Sequence, residues 1–168
     1  MRMLFFLLCF ICAVQTKSQT VNIDTFSLKR SEFIKSHWTE TTFVDTLLNT
    51  KDSLIIHSKN AMGFTRQKID IKNVTGRVQH SYTNYIDTNG LIAYREHWSF
   101  TCQNTDPNDY DGILDNYRRY VYDSKGTLIS EYVHDLSTGT WRYNYLYTDN
   151  GDRYSKSLRI KRNEFWAD

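Results

Sequence analysis

Apolar and polar side chains alternate along much of the chain, most clearly in its second half. In the segment LIAYREHWSFTC (91–102), the even positions are mostly apolar or aromatic, whereas the odd positions are mostly polar. A period of two residues is typical of a strand that buries one face. The residue types, rich in Tyr, Trp, Thr, Val and Ile, also favour the pleated surface of a sheet. A second row with this period consists of Trp141, Tyr143, Tyr145 and Tyr147.

Short runs of Asp, Asn and Gly separate the alternating segments. They include DTNG (87–90), DSKG (123–126), STG (137–139) and DNG (149–151). Asp and Asn tolerate a left-handed backbone and Gly adopts it without steric cost, so each run predicts a hairpin turn. Because the connections are too short for crossover helices, neighbouring strands should be antiparallel. The sequence therefore predicts an all-β fold, an antiparallel meander of about nine to eleven strands that forms a curved open sheet or a loose barrel.

The first half of the chain has a weaker pattern. Segments 42–48, 53–59, 64–72 and 77–85 are predicted as strands. The segment SLKRSEFIKSHW (27–38) could form a short helix or a further strand, and irregular structure or a strand is favoured because Phe33, Ile34 and Trp38 form a poor helical face.

The N-terminus is predicted to be a signal peptide. MRMLFFLLCFICAV carries one cation followed by an apolar run that fits a signal-peptide core and is too short to span a bilayer. Cleavage after Ala13 or after Ser18 is compatible with the sequence. We expect residues 1–18 to be removed and residues 19–168 to form one β-meander domain, secreted, periplasmic or at the cell surface.

Removal of residues 1–18 changes both the charge and the cysteine content. Lys and Arg fall from 21 to 19, equal to the 19 Asp and Glu, so net charge predicts neither an anionic partner nor nucleic acid. Of the three cysteines only Cys102 remains, so the exported chain has no internal disulfide. Cys102 is interpreted as a small buried side chain, with an intermolecular bridge or a reactive thiol as alternatives.

Two phrases near the C-terminus repeat each other. YVYDSKG (120–126) and YLYTDNG (145–151) are offset by 25 residues, and a Trp follows each turn glycine at the same distance, Trp141 after Gly126 and Trp166 after Gly151. This spacing indicates a hairpin-sized unit that is repeated, clearest over 120–168. A degenerate third copy, YIDTNG, begins at Tyr85, and an apparent insertion over 105–112 separates it from the others.

These residues resemble a known type of repeat. The pattern Tyr-x-Tyr-Asp-x-x-Gly, followed by a hairpin and a Trp, resembles tandem YD-type repeats and a family of small secreted Bacteroidetes proteins of unknown function. The resemblance covers roughly residues 80–168, and the second unit departs from it at Thr148, where the motif has Asp. It implies consecutive β-hairpins in one curved sheet and an exported location. It supplies no catalytic residues.

Motifs for catalysis and for cofactors are missing from the sequence. No nucleophile elbow, phosphate-binding glycine loop or zinc-protease motif is present, and the five histidines have no metal-ligand spacing, so no cofactor is predicted. The loop TDPNDYDGILD is a weak Ca²⁺ candidate, because an EF-hand register places Pro107 and Arg118 at the two end positions that need acids. Its acidic residues are Asp106, Asp109, Asp111 and Asp115.

A basic segment lies near the C-terminus. RYSKSLRIKR (153–162) carries five cations. It is interpreted as the charged edge of a sheet, which prevents edge-to-edge pairing, with a patch for anionic glycans or lipid headgroups as the alternative.

The sequence is most consistent with an exported, non-catalytic binding or structural module. Its predicted partner is a cell-surface glycan or protein, without nucleic acid and without a membrane span. The alternatives are a small periplasmic hydrolase that uses His97 or His134, and an inhibitor or assembly partner on the same sheet. Aromatic residues on strands serve most often as core, but they also bind sugars and proteins. The predicted binding row consists of Trp98, Trp141, Tyr143, Tyr145, Tyr147 and Trp166.

Overall fold

The structure is a computed structural model that describes residues 25–38, 40–100 and 112–166. Within these ranges the chain forms one α-helix, nine β-strands and a terminal 3₁₀-helix. The helices are α1 Thr25–Trp38 and the 3₁₀-helix Arg162–Trp166. The strands are β1 Phe43–Asn49, β2 Ser53–Lys59, β3 Thr65–Lys72, β4 Val78–Ile86, β5 Ile92–Phe100, β6 Gly112–Tyr122, β7 Leu128–Asp135, β8 Gly139–Tyr147 and β9 Arg153–Arg159.

The nine strands form one antiparallel sheet in which every strand pairs with its neighbours in sequence. The order runs from β1 to β9 without a crossover, and the sheet is curved and open, not closed into a barrel. This confirms the predicted meander. The four strands predicted in the first half match β1 to β4 to within about one residue at each end. All residues of β1 and of β9, the two edge strands, are exposed.

Five of the hairpin turns share one geometry. The N–H of the first residue donates to the carbonyl of the fifth, and the N–H of a glycine in fourth place donates back to the carbonyl of the first. The glycines have φ between 80° and 91°, the left-handed region that other residues enter at a cost. A side-chain oxygen of the first residue also accepts the N–H of the fifth. These turns lie at 60–64, 73–77, 87–91, 123–127 and 148–152.

The tandem phrases are therefore strand ends that run into equivalent turns. Thr148 departs from the aspartate of the motif, but its hydroxyl oxygen accepts the N–H of Asp152 at 3.1 Å, as Asp123 does for Thr127 at 2.8 Å. The turn at 87–91 is the third copy, and the turn at 60–64 is a fourth. All four turns lie at the same end of the strands, because each follows an even-numbered strand of the meander. Each repeat therefore corresponds to two consecutive strands.

Both helices pack on one face of the sheet, which we call the inner face. It carries one core tyrosine from each of the strands β4 to β7, namely Tyr85, Tyr94, Tyr117 and Tyr132. Phe165 of the 3₁₀-helix is fully buried against three of them, with its ring edge-on at 5.5 Å from Tyr117. Trp38 of α1 packs edge-on against Tyr85 at 5.4 Å. The buried aromatic core consists of Trp38, Tyr85, Tyr94, Tyr117, Tyr132 and Phe165.

The prediction for residues 27–38 is wrong, because this segment lies within helix α1. One position that faces the sheet is occupied by Arg30, so the apolar periodicity of the helix is weak. Arg30 donates from Nε to Glu96 of β5 at 2.6 Å, across a sequence separation of 66 residues. Phe33 packs on Tyr94, and Trp38 donates from its indole to the carbonyl of Ile86. Partners contributed by the distant sheet therefore stabilise a helix that its own pattern does not predict.

A search of the described helices finds no segment that is long and apolar enough to cross a membrane.

Candidate functional site

The opposite, outer face of the sheet carries neither of the two helices. A chain of hydrogen bonds crosses it from β2 to β5. Gln67 donates to His57 at 2.6 Å, Asn84 donates to Gln67 at 2.8 Å, and Arg95 donates to Asn84 at 2.6 Å. These residues are direct cross-strand partners, and the next residue in the row is Arg118 of β6. The outer face is thus polar and ordered by its own side chains.

A cleft of about 360 Å³ lies on the outer face over β6 to β9. Among its lining residues, Arg118 donates from Nη1 to Oε1 of Glu131 at 2.9 Å. Tyr145 donates its hydroxyl to Oε2 of the same carboxylate at 2.5 Å. The side chain of Glu131 is 10% exposed, whereas that of Arg118 is 43% exposed. The remaining lining residues are Val133, Tyr143, Arg153 and Ser155.

Tyr145 remains a neutral hydrogen-bond donor at physiological pH. Burial and then the hydrogen bond to Glu131 raise the pKa of Tyr145 to about 12. The nearby cations Arg153 and Arg118 oppose this rise. A tyrosine with the ordinary pKa of about 10 is already neutral at physiological pH, and the raised pKa keeps Tyr145 a donor to Glu131 well into the alkaline range.

Arginines outnumber acids around the cleft. Arg95 and Arg118 are direct partners on β5 and β6, an arrangement of like charges that normally destabilises a sheet. Arg118 is paired with Glu131, while Arg95 donates to the neutral amide of Asn84. A third cation, Arg153, stacks over the ring of Tyr145 with its guanidinium carbon 4.7 Å from the ring centre. We therefore expect a positive electrostatic potential around the cleft, which would attract an anionic ligand.

The predicted aromatic binding row is divided between the two faces. Trp141, Tyr143, Tyr145 and Tyr147 do share the outer face of β8, where Tyr143 and Tyr145 line the cleft.

The other two predicted members lie on the inner face, so the idea of a single row is wrong. Trp98 has the same strand parity as Glu96, to which its indole donates at 3.2 Å. Trp166 lies in the 3₁₀-helix, where its ring packs against Phe33 at 5.2 Å and against Phe165 at 4.9 Å. The chain leaves the sheet after β9, so the equal spacing of Trp141 and Trp166 does not place them equivalently.

The basic segment 153–162 lies mainly on edge strand β9. This position fits the interpretation of its charges as edge protection. Two of its cations extend over aromatic rings of the outer face, Arg153 over Tyr145 and Arg159 at 5.9 Å from the Trp141 ring. The segment therefore contributes charge to the outer face as well.

The two histidines named for a hydrolase lie on opposite faces. His134 is 8% exposed on the inner face, stacked on Tyr117 and hydrogen-bonded to the hydroxyl of Thr140. His97 lies on the outer face, stacked on Tyr82 with ring centres 4.5 Å apart. Its Nε2 is 3.2 Å from Nδ1 of His80, and its Nδ1 is 3.9 Å from Asp115. Both ring nitrogens of His97 thus face protein groups.

The environment of His97 predicts a pH dependence of stability. Burial lowers the pKa of His97, with Asp115 opposing and His80 and Arg118 adding to the decrease. Below about pH 6.5 the unfolded chain therefore binds a proton that the folded chain resists, so stability falls as the pH decreases through this range. Urea unfolding at about pH 7, 6 and 5 should show this fall, and His97→Gln should make it shallower. A variant with an unchanged slope would contradict the assignment.

The predicted Ca²⁺ loop falls mostly outside the described residues, as do Cys102 and residues 1–18. Of its acids, Asp115 is described; it lies in β6 beside His97, where the pairing with β5 shifts by one residue. Asp106, Asp109 and Asp111 lie outside the described ranges. Within those ranges, His, Cys, Asp and Glu do not form a group of three or more that could hold a metal ion.

Four residues at or beside the cleft were not predicted from the sequence: Arg95, Arg118, Glu131 and Tyr120, the last being the direct partner of Glu131 on β6. Their proximity depends on the register of β5 with β6, which pairs Arg95 with Arg118, and on that of β6 with β7, which pairs Tyr120 with Glu131. A usable signal was present in ISEYVHD (129–135), where Glu131 occupies the same strand parity as Val133. An acid that alternates with the apolar residues Ile129 and Val133 on one face of a strand indicates a partner of opposite charge.

Comparisons with family models, with curated proteins and with solved structures find no match to this chain.

Proposed function

We propose that this protein is an exported, non-catalytic binding module that recognises a cell-surface glycan or protein through the outer face of its sheet. The observation that carries the proposal is the cleft over β6 to β9, where arginine, carboxylate and tyrosine groups converge on the face that the two described helices leave uncovered. Export is supported by the N-terminal segment MRMLFFLLCFICAV, which has the pattern of a signal peptide.

The side chains of the cleft suit recognition more than chemistry. Aromatic rings offer large contact area at low entropic cost, and their polar tips add directional hydrogen bonds. Arg118 and Tyr145 hold Glu131 in place before any ligand arrives, so little ordering remains to oppose binding. A preformed cleft of this size is at the lower end of the ~300–1,000 Å³ typical of small-molecule sites.

The test compares aromatic substitutions on the two faces. Tyr143→Ala and Trp141→Ala remove rings from the outer face, while Tyr154→Ala removes an exposed ring of β9 that points to the inner side. Wild type and variants should be screened against arrays of cell-surface glycans and proteins, and the ligands that bind should then be titrated by calorimetry. We expect Tyr143→Ala to weaken binding by about tenfold or more, and Tyr154→Ala to leave it unchanged.

Two results would contradict the proposal. One is the absence of any ligand for the wild type in both arrays. The other is equal loss of binding for Tyr143→Ala and Tyr154→Ala, which would show that the outer face has no special role. Melting temperatures of the variants, measured in parallel, separate loss of the site from loss of the fold.

A further inference from the structure

We propose that the cleft over β6 to β9 binds a carboxylate-bearing saccharide, with Arg118 and Arg153 holding the carboxylate and Tyr143 and Tyr145 contacting the sugar ring. This inference rests on the proposed binding function and specifies the class of its ligand. It follows from the charges around the cleft, from the acceptor Glu131 in its lining and from its tyrosine side chains.

The charges favour an anion. Arg118 and Arg153 line the cleft, and Arg95 lies directly opposite Arg118 on the neighbouring strand, while Glu131 is the acid among the lining residues. A guanidinium offers five N–H donors, and 43% of the Arg118 side chain is exposed to a ligand. Planar guanidinium groups bind carboxylates through paired hydrogen bonds, which makes the carboxylate the matching anion.

Glu131 favours a ligand with hydroxyl groups over one that is densely charged. An ionised carboxylate has about four acceptor positions, and Arg118 and Tyr145 occupy one each. Sugar hydroxyls can donate to those that remain. A polyphosphate or a run of acidic side chains would instead bring several negative charges close to Glu131 and be repelled. One carboxylate surrounded by hydroxyls suits both the arginines and the glutamate.

The aromatic walls suit a ring-shaped ligand. Tyr143 and Tyr145 are two residues apart on the same face of β8, and both line the cleft. Arg153 covers the ring of Tyr145 and places a cation at the edge of the same wall. A pyranose ring exposes C–H groups on its flat side and its carboxylate at the rim, so it can contact tyrosine and arginine together.

The test uses the purified protein and three probes: a short galactose oligomer that carries a single galacturonic acid residue, the neutral galactose oligomer of equal length, and a peptide of alternating Glu and Ser. Binding is measured by calorimetry at about 50 mM and about 150 mM salt. We expect the uronate to bind, the neutral oligomer to bind at least about tenfold more weakly, and the uronate affinity to fall at higher salt.

Two arginine variants on one strand locate the site. Arg153→Gln removes the exposed cation of the cleft, and Arg159→Gln removes the matched cation beside Trp141 on the same face of β9. We expect Arg153→Gln to weaken uronate binding by about tenfold and Arg159→Gln to change it by less than about twofold. Both substitutions are on an exposed edge strand, so equal melting temperatures should confirm that both variants fold.

The outcomes distinguish this inference from the broader proposal. Equal affinity for the charged and neutral oligomers would contradict recognition of a carboxylate, but it would leave the proposal that the outer face binds a ligand intact. Preference for the acidic peptide, lost in Arg153→Gln, would assign the cleft to a protein partner instead. If the three probes fail to bind at millimolar concentration, the ligand class is wrong, and the array screen decides separately whether the outer face binds anything. Equal loss in Arg153→Gln and Arg159→Gln would place binding outside the cleft.

Discussion

Replacing Phe165 with alanine is expected to destabilise the protein by ~3–5 kcal/mol, the usual cost of removing a buried phenyl ring. Phe165 is 0% exposed, and its ring lies edge-on to Tyr94, Tyr117 and Tyr132 at 6.5, 5.5 and 6.2 Å. Three strands therefore lose packing at once. Since a domain is stable by only ~5–15 kcal/mol, the variant should be close to unfolding.

Urea unfolding followed by circular dichroism measures this loss. The matched control is Leu146→Ala on β8, whose side chain is 68% exposed and should change stability by no more than ~0.5 kcal/mol. If Phe165→Ala cost less than ~1 kcal/mol, the 3₁₀-helix would be an independent appendage and the aromatic core would not depend on it. A variant too unstable to purify can be studied as Phe165→Leu, which should lose less.

Replacing Arg30 with methionine is expected to cost ~3–5 kcal/mol, because it leaves a charged carboxylate buried without its cation. The Glu96 side chain is 3% exposed, and Nη2 of Arg30 is 2.5 Å from its Oε1. The indole of Trp98 would still donate to this carboxylate. Glu96→Gln should cost less, ~1–2 kcal/mol, since Arg30 is 25% exposed and can reach water.

A double-mutant cycle isolates the pair. Arg30→Met combined with Glu96→Gln should be more stable than the sum of the single losses predicts, with a coupling of ~1–3 kcal/mol. Lys29→Met, at the exposed neighbouring position of α1, is the control and should be nearly neutral. Additive single losses would mean that the ion pair does not hold α1 on the sheet.

Local patterns were sufficient to predict most of the sheet. Alternation gave the strands, and each glycine turn could be recognised because its first residue has a side-chain oxygen that caps the turn within five residues. The shared face of Trp141, Tyr143, Tyr145 and Tyr147 also followed directly, since strand parity is a property of consecutive residues.

Two failures share one physical cause. Helix α1 was missed because its inward-facing Arg30 pairs with Glu96 on a distant strand. Trp98 and Trp166 were grouped with the β8 aromatics because composition does not reveal which face of a curved sheet will be covered. In both cases the deciding contact joins residues far apart in the chain.

The sequence by itself determined an antiparallel meander, its turns and the two-strand period that YVYDSKG and YLYTDNG express. These depend on side-chain alternation and on hydrogen bonds within single turns, both of which act over a few residues. Only the tertiary structure decided that α1 and the 3₁₀-helix cover the inner face. Because of this cover, tyrosines such as Tyr94 and Tyr117 are part of the buried core. It likewise brought Arg118, Glu131 and Tyr145 together on the outer face, because the register of three strands sets distances that no local pattern encodes.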